Sequence, residues 1–249
     1  MMTGSTVLIT GGSRGIGKAI VEKAVSQGWS VALTYFSDED SAASVVSRAK
    51  EKGGICAAYR CDAAGTKDAF DAMIDRAETE IGAISCLVNN VGITGRIGPL
   101  ADLPEDTLRR TIDTNVTGTI LMTQAMVTRW IERKAAGSVV NISSIAATLG
   151  APNEYVHYAA SKAAIEAFTI GLAKELGPAG IRINAVSPGT ALTDIHARGG
   201  DPGRPERVAA RVPLGRAARP EEIANAVMWL ASPEASYASG AILRVGGGL

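Results

Sequence analysis

The stretch Thr6-Val-Leu-Ile-Thr-Gly-Gly-Ser-Arg-Gly-Ile-Gly17 decides the fold of this 249-residue chain. Its first half is short, apolar and rich in β-branched residues, which predicts a buried strand. Its second half is rich in glycine, which permits a sharp turn. The turn leads into apolar residues at helical spacing, namely Ile20, Ala24 and Val25. A strand, a glycine turn and a helix in this order indicate an α/β domain.

The same alternation continues to the end of the chain. Further strands are predicted over 30–35, 55–60, 85–90, 138–142, 181–187 and 241–245, and further helices over 41–52, 67–80, 105–134, 155–176 and 221–231. Continuous apolar strands between amphipathic helices predict a parallel sheet covered on both faces. We therefore expect a single doubly wound α/β domain over 1–249, with a seven-stranded parallel sheet and helices on both faces.

Residues 190–213 interrupt this rhythm with glycines, prolines and several charges. They follow the predicted sixth strand and precede the helix that begins near Pro220. An insertion after the carboxyl end of a parallel strand lies where α/β sheets bind ligands. The segment predicts a lid over a substrate. The alternative is an exposed surface loop without a role in binding.

Composition excludes several classes of partner. The 25 Lys and Arg residues balance the 25 Asp and Glu residues, so neither nucleic acid nor a membrane surface is an expected partner. With two histidines and no Cys/His cluster, no metal site is expected. Cys56, Cys61 and Cys86 lie in apolar surroundings and form no CxxC pair, which indicates reduced thiols. Because the N-terminus also lacks a signal-peptide pattern, we expect a cytoplasmic protein whose partner is a small molecule.

The glycine turn has the properties of a phosphate site. Its glycines fall at 11, 12, 15 and 17, which is not the G-x-G-x-x-G spacing, but the physical requirement is the same. A phosphate must approach bare backbone, and side chains would obstruct it. The following helix offers free N–H groups and the positive end of its dipole. The turn therefore predicts the pyrophosphate of a dinucleotide.

The choice between NAD(H) and NADP(H) depends on charge near the second strand. An NAD site usually places Asp or Glu about 20 residues past the turn, whereas Tyr35 stands at that position here. Arg14 can pair with a 2′-phosphate, and Phe36 and Ser37 can supply a stacking face and a hydroxyl. The acidic run 38–40 follows at once and leaves NAD(H) open. We favour NADP(H).

Tyr158 and Lys162 stand four residues apart in a predicted helix and therefore share a face. A free tyrosine has a pKa of about 10, and a nearby ammonium group lowers that pKa. The pair thus suits proton exchange with an alcohol or carbonyl oxygen. Tyrosine and lysine at this spacing are also common on solvated helices, so the pair indicates a catalytic site only together with other residues.

Other polar residues, most of them at predicted strand ends, support a catalytic site. Ser143 and Ser144 end the strand before this helix, where a hydroxyl can hydrogen-bond a substrate oxygen. Asn115 lies within the predicted helix over 105–134, where a buried amide needs a partner. Asn89 and Asn90 end the fourth strand, beside the expected cofactor.

Taken together, these residues resemble the classical short-chain dehydrogenase/reductase family over essentially the whole chain. The turn 10–17 is similar to its TGxxxGxG motif, and residues 89–92 (Asn-Asn-Val-Gly) are similar to its NNAG. Residues 187–189 (Ser-Pro-Gly) resemble the PG that follows its sixth strand, and Asp62 matches the acidic residue that borders the adenine. The resemblance implies a Rossmann fold and a nicotinamide cofactor.

The resemblance also implies residue roles. Tyr158 would be the general acid for reduction, or the base for oxidation. Lys162 would lower the pKa of Tyr158 and hold the nicotinamide ribose. Ser144 would orient the carbonyl, and Asn115 would belong to a proton relay. Ser144 precedes the tyrosine by fourteen positions where thirteen is usual, so Ser143 stays open as the acting serine.

The expected cofactor-binding residues follow from the same motifs. They are Gly11, Ser13, Arg14, Gly15, Ile16, Gly17, Tyr35, Phe36, Ser37, Asp62, Ala63, Asn89, Gly92, Tyr158, Lys162, Pro188, Gly189 and Thr193.

The expected function is NADP(H)-dependent transfer of a hydride between nicotinamide and a carbonyl or secondary alcohol, similar to the 3-oxoacyl reductase-like and glucose-dehydrogenase-like members of the family. The alternative is a cofactor-binding regulatory protein without turnover. Such relatives typically lack the tyrosine or the lysine, and this chain has both. The resemblance further implies a homotetramer.

Overall fold

The computed structural model describes residues 5–249, so the first four residues of the predicted domain lie outside the described residues. Seven strands of the described part form one parallel sheet in the order β3-β2-β1-β4-β5-β6-β7. They are β1 (Thr6–Ile9), β2 (Ser30–Tyr35), β3 (Cys56–Arg60), β4 (Ile84–Asn89), β5 (Gly137–Ile142), β6 (Ile181–Pro188) and β7 (Ile242–Val245). The predicted doubly wound α/β class is confirmed.

Helices connect the strands and cover both faces of the sheet. They are α1 (Gly15–Ser26), α2 (Glu39–Glu51), α3 (Lys67–Ile81), α4 (Glu105–Ile112), α5 (Gly118–Glu132), α6 (Ala146–Leu149), α7 (Val156–Leu176), α8 (Ile195–Arg198), α9 (Arg204–Ala209) and α10 (Pro220–Ala231). Three short helices were not predicted: α6, which follows β5, and α8 and α9, which lie within residues 190–213. None of the helices in residues 5–249 is both long and apolar enough to cross a membrane.

The strand β1 shows how the two faces are built. Val7 and Ile9 pack with α1, α2 and α10, whereas Leu8 packs with α3, α5 and α7. All three side chains are fully buried. Because successive side chains of a strand point to opposite faces, a wholly apolar strand contributes side chains to the hydrophobic cores on both faces of the sheet.

The predicted helix over 105–134 is not one α-helix. A π-helical turn, Asp113–Thr117, separates α4 from α5. The next residue, Gly118, packs against the backbone after β3, since a Cβ built there would overlap the carbonyl of Ala63. The π-turn accommodates one extra residue at the point of this close contact. Hydrophobic spacing alone does not show such an interruption.

The helix α2 begins two residues earlier than predicted because Asp38 caps it. The Asp38 carboxylate accepts a hydrogen bond from the Ser41 N–H at 3.1 Å. Glu39 and Asp40 then occupy the first turn, where negative charge is favourable next to the helix dipole. The acidic run that follows β2 thus has a structural role at the start of α2.

Arg182 on β6 ties the end of α10 to the sheet. Its guanidinium donates hydrogen bonds of 2.9–3.3 Å to the carbonyls of Leu230, Ala231, Ser232, Ala235 and Ala238. It also donates to Ser138 Oγ at 3.2 Å. A cation at the carboxyl end of a helix satisfies carbonyls that have no partner within the helix. Burial lowers the pKa of Arg182.

We expect Arg182→Met to lower the free energy of unfolding by about 2–4 kcal/mol, because several carbonyls lose their donor while the apolar stem is kept. Urea denaturation followed by circular dichroism measures the change. The control is Arg109→Met, which removes a largely exposed ion pair with Glu105 and should cost less than about 1 kcal/mol. Equal losses in the two variants would contradict the role of Arg182.

Candidate active site

A single continuous cavity of about 710 Å³ lies over the carboxyl ends of the strands. It runs from the turn after β1 to the segment after β6. The chain winds outward in opposite directions from β1 and β4, and ligands of open α/β sheets bind at such a reversal of strand order. The predicted site residues in its wall are Gly11, Ser13, Arg14, Gly15, Ile16, Gly17, Tyr35, Phe36, Ser37, Asp62, Ala63, Gly92, Ser144, Tyr158, Lys162, Pro188, Gly189 and Thr193.

Asn89 does not belong to this wall, and its predicted cofactor contact is not supported. Its amide donates to Thr123 Oγ1 at 2.8 Å and to Asn141 Oδ1 at 2.9 Å. Both amide hydrogens are therefore used inside the protein, where the residue is 4 % exposed. The neighbouring Asn90 lines the cavity instead, because successive residues leave the strand on opposite sides.

The glycine turn brings two backbone segments into contact. A Cβ on Gly17 would lie 2.2 Å from the Gly11 carbonyl oxygen. The Asn90 amide donates to the carbonyls of Thr10 and Gly11 at 2.9 and 3.1 Å. The turn is thereby tied to the end of β4, and the first N–H groups of α1 face the cavity. Such an arrangement suits a phosphate.

The end of the cavity near β2 carries two arginines. Arg14 lies 3.6 Å from the Asp38 carboxylate, and Arg110 pairs with Asp62 at 3.0 Å. The guanidinium of Arg110 also lies over the Phe36 ring at 5.8 Å from its centroid. This end therefore presents an aromatic face and cations beside the predicted adenosine site.

The π-turn holds Asn115 in a buried network. Its Oδ1 accepts from Ile93 N at 2.9 Å, and its amide donates to Ile93 O at 2.8 Å and to Ser161 Oγ at 3.0 Å. Asn115 is fully buried and does not line the cavity. Its neighbour Thr114 does, and the buried Thr114 hydroxyl has no partner among the described residues. An unpaired buried hydroxyl at a cavity wall points to a ligand.

Lys162 is 3 % exposed and donates from Nζ to the Ile142 carbonyl at 2.7 Å. Burial lowers the pKa of Lys162 to about 8. Nζ lies 5.7 Å from the centroid of the Tyr158 ring. The two residues therefore share a helix face, as predicted, and both reach the cavity.

The Tyr158 pKa departs from the predicted direction. Burial raises it to about 12, and the opposing effects of a Ser144 hydrogen bond and of Arg204 are smaller. The Lys162 ammonium group is engaged with Ile142 O and lies beside the Tyr158 ring. The phenol is thus fully protonated at neutral pH. The Tyr155 ring packs edge-on against it, with centroids 5.2 Å apart.

The two candidate serines have different partners. Ser143 Oγ donates to Glu166 Oε1 at 2.8 Å and lies 3.2 Å from the Lys162 carbonyl. The Ser144 hydroxyl accepts from Ala146 N at 3.2 Å and lies close enough to the Tyr158 phenol to lower its pKa. Ser143 is therefore engaged with α7, whereas Ser144 is beside the phenol.

Among the cavity residues that escaped the sequence-based prediction are Arg110, Thr114 and Arg204. Arg110 and Thr114 come from the region that was predicted as uniform helix, and Arg204 comes from the segment with no predicted structure. No local pattern marks them, since each reaches the cavity only through contacts between distant parts of the chain. Thr114 adjoins Asn115, which is the nearest available signal.

Comparison with known proteins supports this geometry. A family model described as enoyl-(acyl carrier protein) reductase matches residues 11–249. The uncharacterized oxidoreductase YgfF of Escherichia coli (strain K12) is 38% identical over 97% of this chain and 98% of that protein. The chain belongs to the short-chain dehydrogenase/reductase family. The predicted resemblance and the predicted enzyme class, a dehydrogenase or reductase, are thereby confirmed.

Other relatives of this family have assigned activities or bound cofactors. The 3beta-hydroxysteroid dehydrogenase 1 of Eggerthella lenta is 35% identical over 100% of this chain and 94% of that protein. A short-chain dehydrogenase of Burkholderia cenocepacia J2315, solved in complex with NADP, is 33% identical with a TM-score of 0.90. It matches over 99% of this chain and 98% of that structure.

Proposed function

We propose that this enzyme is an NADP(H)-dependent oxidoreductase that interconverts a carbonyl compound and a secondary alcohol. The observation that carries the proposal is one cavity that contains Tyr158, Lys162 and Ser144 at one end and the glycine turn at the other. Hydride transfer from a dinucleotide requires both a proton donor at the carbonyl and a binding site for the phosphates of the cofactor. The dehydrogenase names of the relatives support the same reaction class.

The residues of the cavity fit a nicotinamide dinucleotide. Gly11 and Gly17 leave no room for a Cβ against Val91 and the Gly11 carbonyl, respectively, and the tight turn they form at the start of α1 suits a pyrophosphate. The unpartnered Thr114 hydroxyl offers a hydrogen bond farther along the same wall. When bound, the cofactor supplies or accepts the hydride. The protein then has to position the carbonyl and provide the proton.

Tyr158 is the proposed proton donor to the carbonyl oxygen. Because burial raises its pKa to about 12, the phenol carries its proton throughout the neutral range. That form suits carbonyl reduction, whereas alcohol oxidation requires the phenolate and gains rate as the pH rises. Ser144 lies beside the phenol in the cavity wall, and we propose that it orients the carbonyl.

Lys162 is proposed to return a proton to Tyr158, and Asn115 is proposed to position the backbone beside that lysine. With a pKa lowered to about 8, the Lys162 ammonium can exchange its proton near neutral pH. Asn115 anchors both backbone groups of Ile93. Gly92 lies between the two residues: a Cβ there would be 3.1 Å from Lys162 Nζ and 3.6 Å from Asn115 Oδ1. Asn115 therefore acts by holding this backbone beside the lysine.

The preference for NADP(H) is part of the proposal. Arg14 lies in the turn and reaches the cavity end near β2, where Tyr35, Phe36 and Ser37 present no carboxylate. Asp38 competes for Arg14, but its partial engagement as the cap of α2 leaves the guanidinium at 3.6 Å. A 2′-phosphate would offer a stronger partner, because guanidinium binds phosphate in a bidentate manner.

The lid, the cellular location and the oligomeric state are proposed as well. Residues 190–213 act as the lid of a single catalytic domain, and Gly15 already contacts this segment, since a Cβ there would lie 3.3 Å from Thr193 Cγ2. The cytoplasmic location and the homotetramer predicted from the sequence belong to the same proposal. Sedimentation equilibrium tests the tetramer.

The decisive experiment is a screen of ketones, acyl thioesters and sugars with NADPH and NADP⁺, followed by Tyr158→Phe. We expect this variant to lower kcat by about 10²–10⁴-fold, because the proton donor is removed. The dissociation constant for NADPH, measured by its fluorescence, should stay close to that of the wild type. A variant that turns over at the wild-type rate would refute the mechanism.

The two serines can be separated by paired alanine variants. Ser144→Ala should lower kcat by about 10²-fold or more, since the carbonyl loses the hydroxyl beside Tyr158. Ser143→Ala should affect kcat far less and instead lower the thermal midpoint, because it leaves Glu166 without its donor. The opposite order of kcat values would assign the reaction to Ser143.

Arg14→Gln tests the cofactor preference. We expect KM for NADPH to rise about 10–100-fold, because a charge-assisted bond to the 2′-phosphate is lost. KM for NADH serves as the internal control and should change little, since NADH has no 2′-phosphate. An equal rise for both cofactors, or a wild type that prefers NADH, would contradict the proposal.

A further inference from the structure

An ion pair joins the segment after β6 to the loop before α7. Arg204 at the start of α9 donates from Nε and Nη2 to Glu154 Oε2, at 3.0 and 2.7 Å. Both residues line the cavity. Two backbone hydrogen bonds support the same contact: Gly98 N donates to Glu154 O at 2.7 Å, and Ile97 N donates to Gly199 O at 3.0 Å. The side of the cavity is thus closed by a defined polar pair.

The guanidinium of Arg204 is held close to the proposed catalytic tyrosine. Its Cζ lies over the Tyr155 ring at 5.0 Å from the centroid, and that ring packs edge-on against Tyr158 at 5.2 Å. Arg204 is only 8 % exposed. A guanidinium that is stacked and paired in this way has a fixed orientation, so its remaining N–H groups point in fixed directions.

The remaining N–H groups of the Arg204 side chain are hydrogen-bond donors in the cavity wall. A guanidinium carries five N–H donors, and the two bonds to Glu154 use two of them. Among the described residues, Glu154 is the hydrogen-bond acceptor of the Arg204 side chain. Because Arg204 lines the cavity, the N–H groups that Glu154 does not use can donate to an oxygen of a bound ligand.

The charges around Arg204 favour a hydroxyl over a carboxylate as the substrate group that binds there. The Arg204 charge is already balanced by Glu154, and Arg207 is paired with Asp201 at 2.5 Å and lies 3.6 Å from Glu154. A substrate carboxylate that bound to Arg204 would have to displace Glu154 or lie beside it. A hydroxyl group meets neither obstacle, because it accepts from the arginine and donates to the carboxylate.

We propose that Arg204 and Glu154 recognise a hydroxyl group of the substrate, so that the enzyme acts on hydroxyl-bearing carbonyl compounds and on the corresponding diols or polyols. This inference rests on the proposed function and adds its substrate class. Arg204 is then a specificity-determining residue that contacts the part of the substrate next to the reacting carbonyl.

The test compares cyclohexanone with 2-, 3- and 4-hydroxycyclohexanone and with 3-oxocyclohexane-1-carboxylate as an anionic probe. For wild-type enzyme we expect kcat/KM for at least one hydroxyketone to exceed that for cyclohexanone by about 10–100-fold, the size of one hydrogen bond to a charged group. In Arg204→Met this ratio should fall to within a few-fold of one.

Arg207→Met is the matched control. It lies on the same helix and contacts the same carboxylate, but it is exposed and does not line the cavity. Its substrate ratio should equal that of the wild type. Arg204→Lys, which keeps the charge but loses the planar fork, should lower the ratio in the same direction and replaces the methionine variant if circular dichroism shows that the latter is unfolded.

The outcomes separate the two levels of the proposal. Turnover of ketones with no preference for a hydroxyl, a preference for the carboxylate, or an equal loss of the ratio in Arg204→Met and Arg207→Met would overturn the proposed recognition and leave the proposed function intact. If wild-type enzyme reduces none of these compounds and none of the wider screen with either cofactor, the proposed function falls, and the substrate class falls with it.

Discussion

The contact between the backbone of Gly17 and the carbonyl of Gly11 is the constraint on which the rest of the site depends. It leaves no room for a side chain, and Asn90 ties the same carbonyl to the end of β4. The carboxyl ends of β1 and β4 are therefore held next to each other, with the first turn of α1 directed at the gap between them. The cavity, the phosphate-binding character of the turn and the placement of α7 follow from this arrangement.

Burial dominates the chemistry at the other end of the cavity. The same desolvation raises the Tyr158 pKa to about 12 and lowers the Lys162 pKa to about 8, because it disfavours the charged form of either group. The phenol is thereby kept as a proton donor, while the lysine becomes able to exchange its proton near neutrality. The Arg204–Tyr155–Tyr158 contacts connect this pair to the segment after β6, so the proposed lid and the proposed proton donor are parts of one packed unit.

Periodic patterns predicted the fold well and individual polar side chains less well. The seven strands and the helices other than the one predicted over 105–134 were correct to within a few residues, since a doubly buried strand and an amphipathic helix each repeat one signal many times. Asn89 and Asn90 show the limit of these patterns: Asn89 ends β4 and Asn90 follows it, but only the Asn90 side chain lines the cavity. Asn89 instead belongs to a buried chain of hydrogen bonds that continues through Asn141 to Thr169. The π-turn at Asn115 is a comparable case, because one extra residue in a helix leaves hydrophobic spacing almost unchanged.

The sequence by itself determined the α/β class, the phosphate-ready turn, and the presence of Tyr158 and Lys162 on one helix face, because each depends on residues close together in the chain. Only the tertiary structure decided the partners of Ser143 and Ser144, the direction of the Tyr158 pKa, and the meeting of Arg204 with Glu154 across fifty positions of the chain. These properties depend on burial and on contacts between distant elements, and local sequence patterns predict neither.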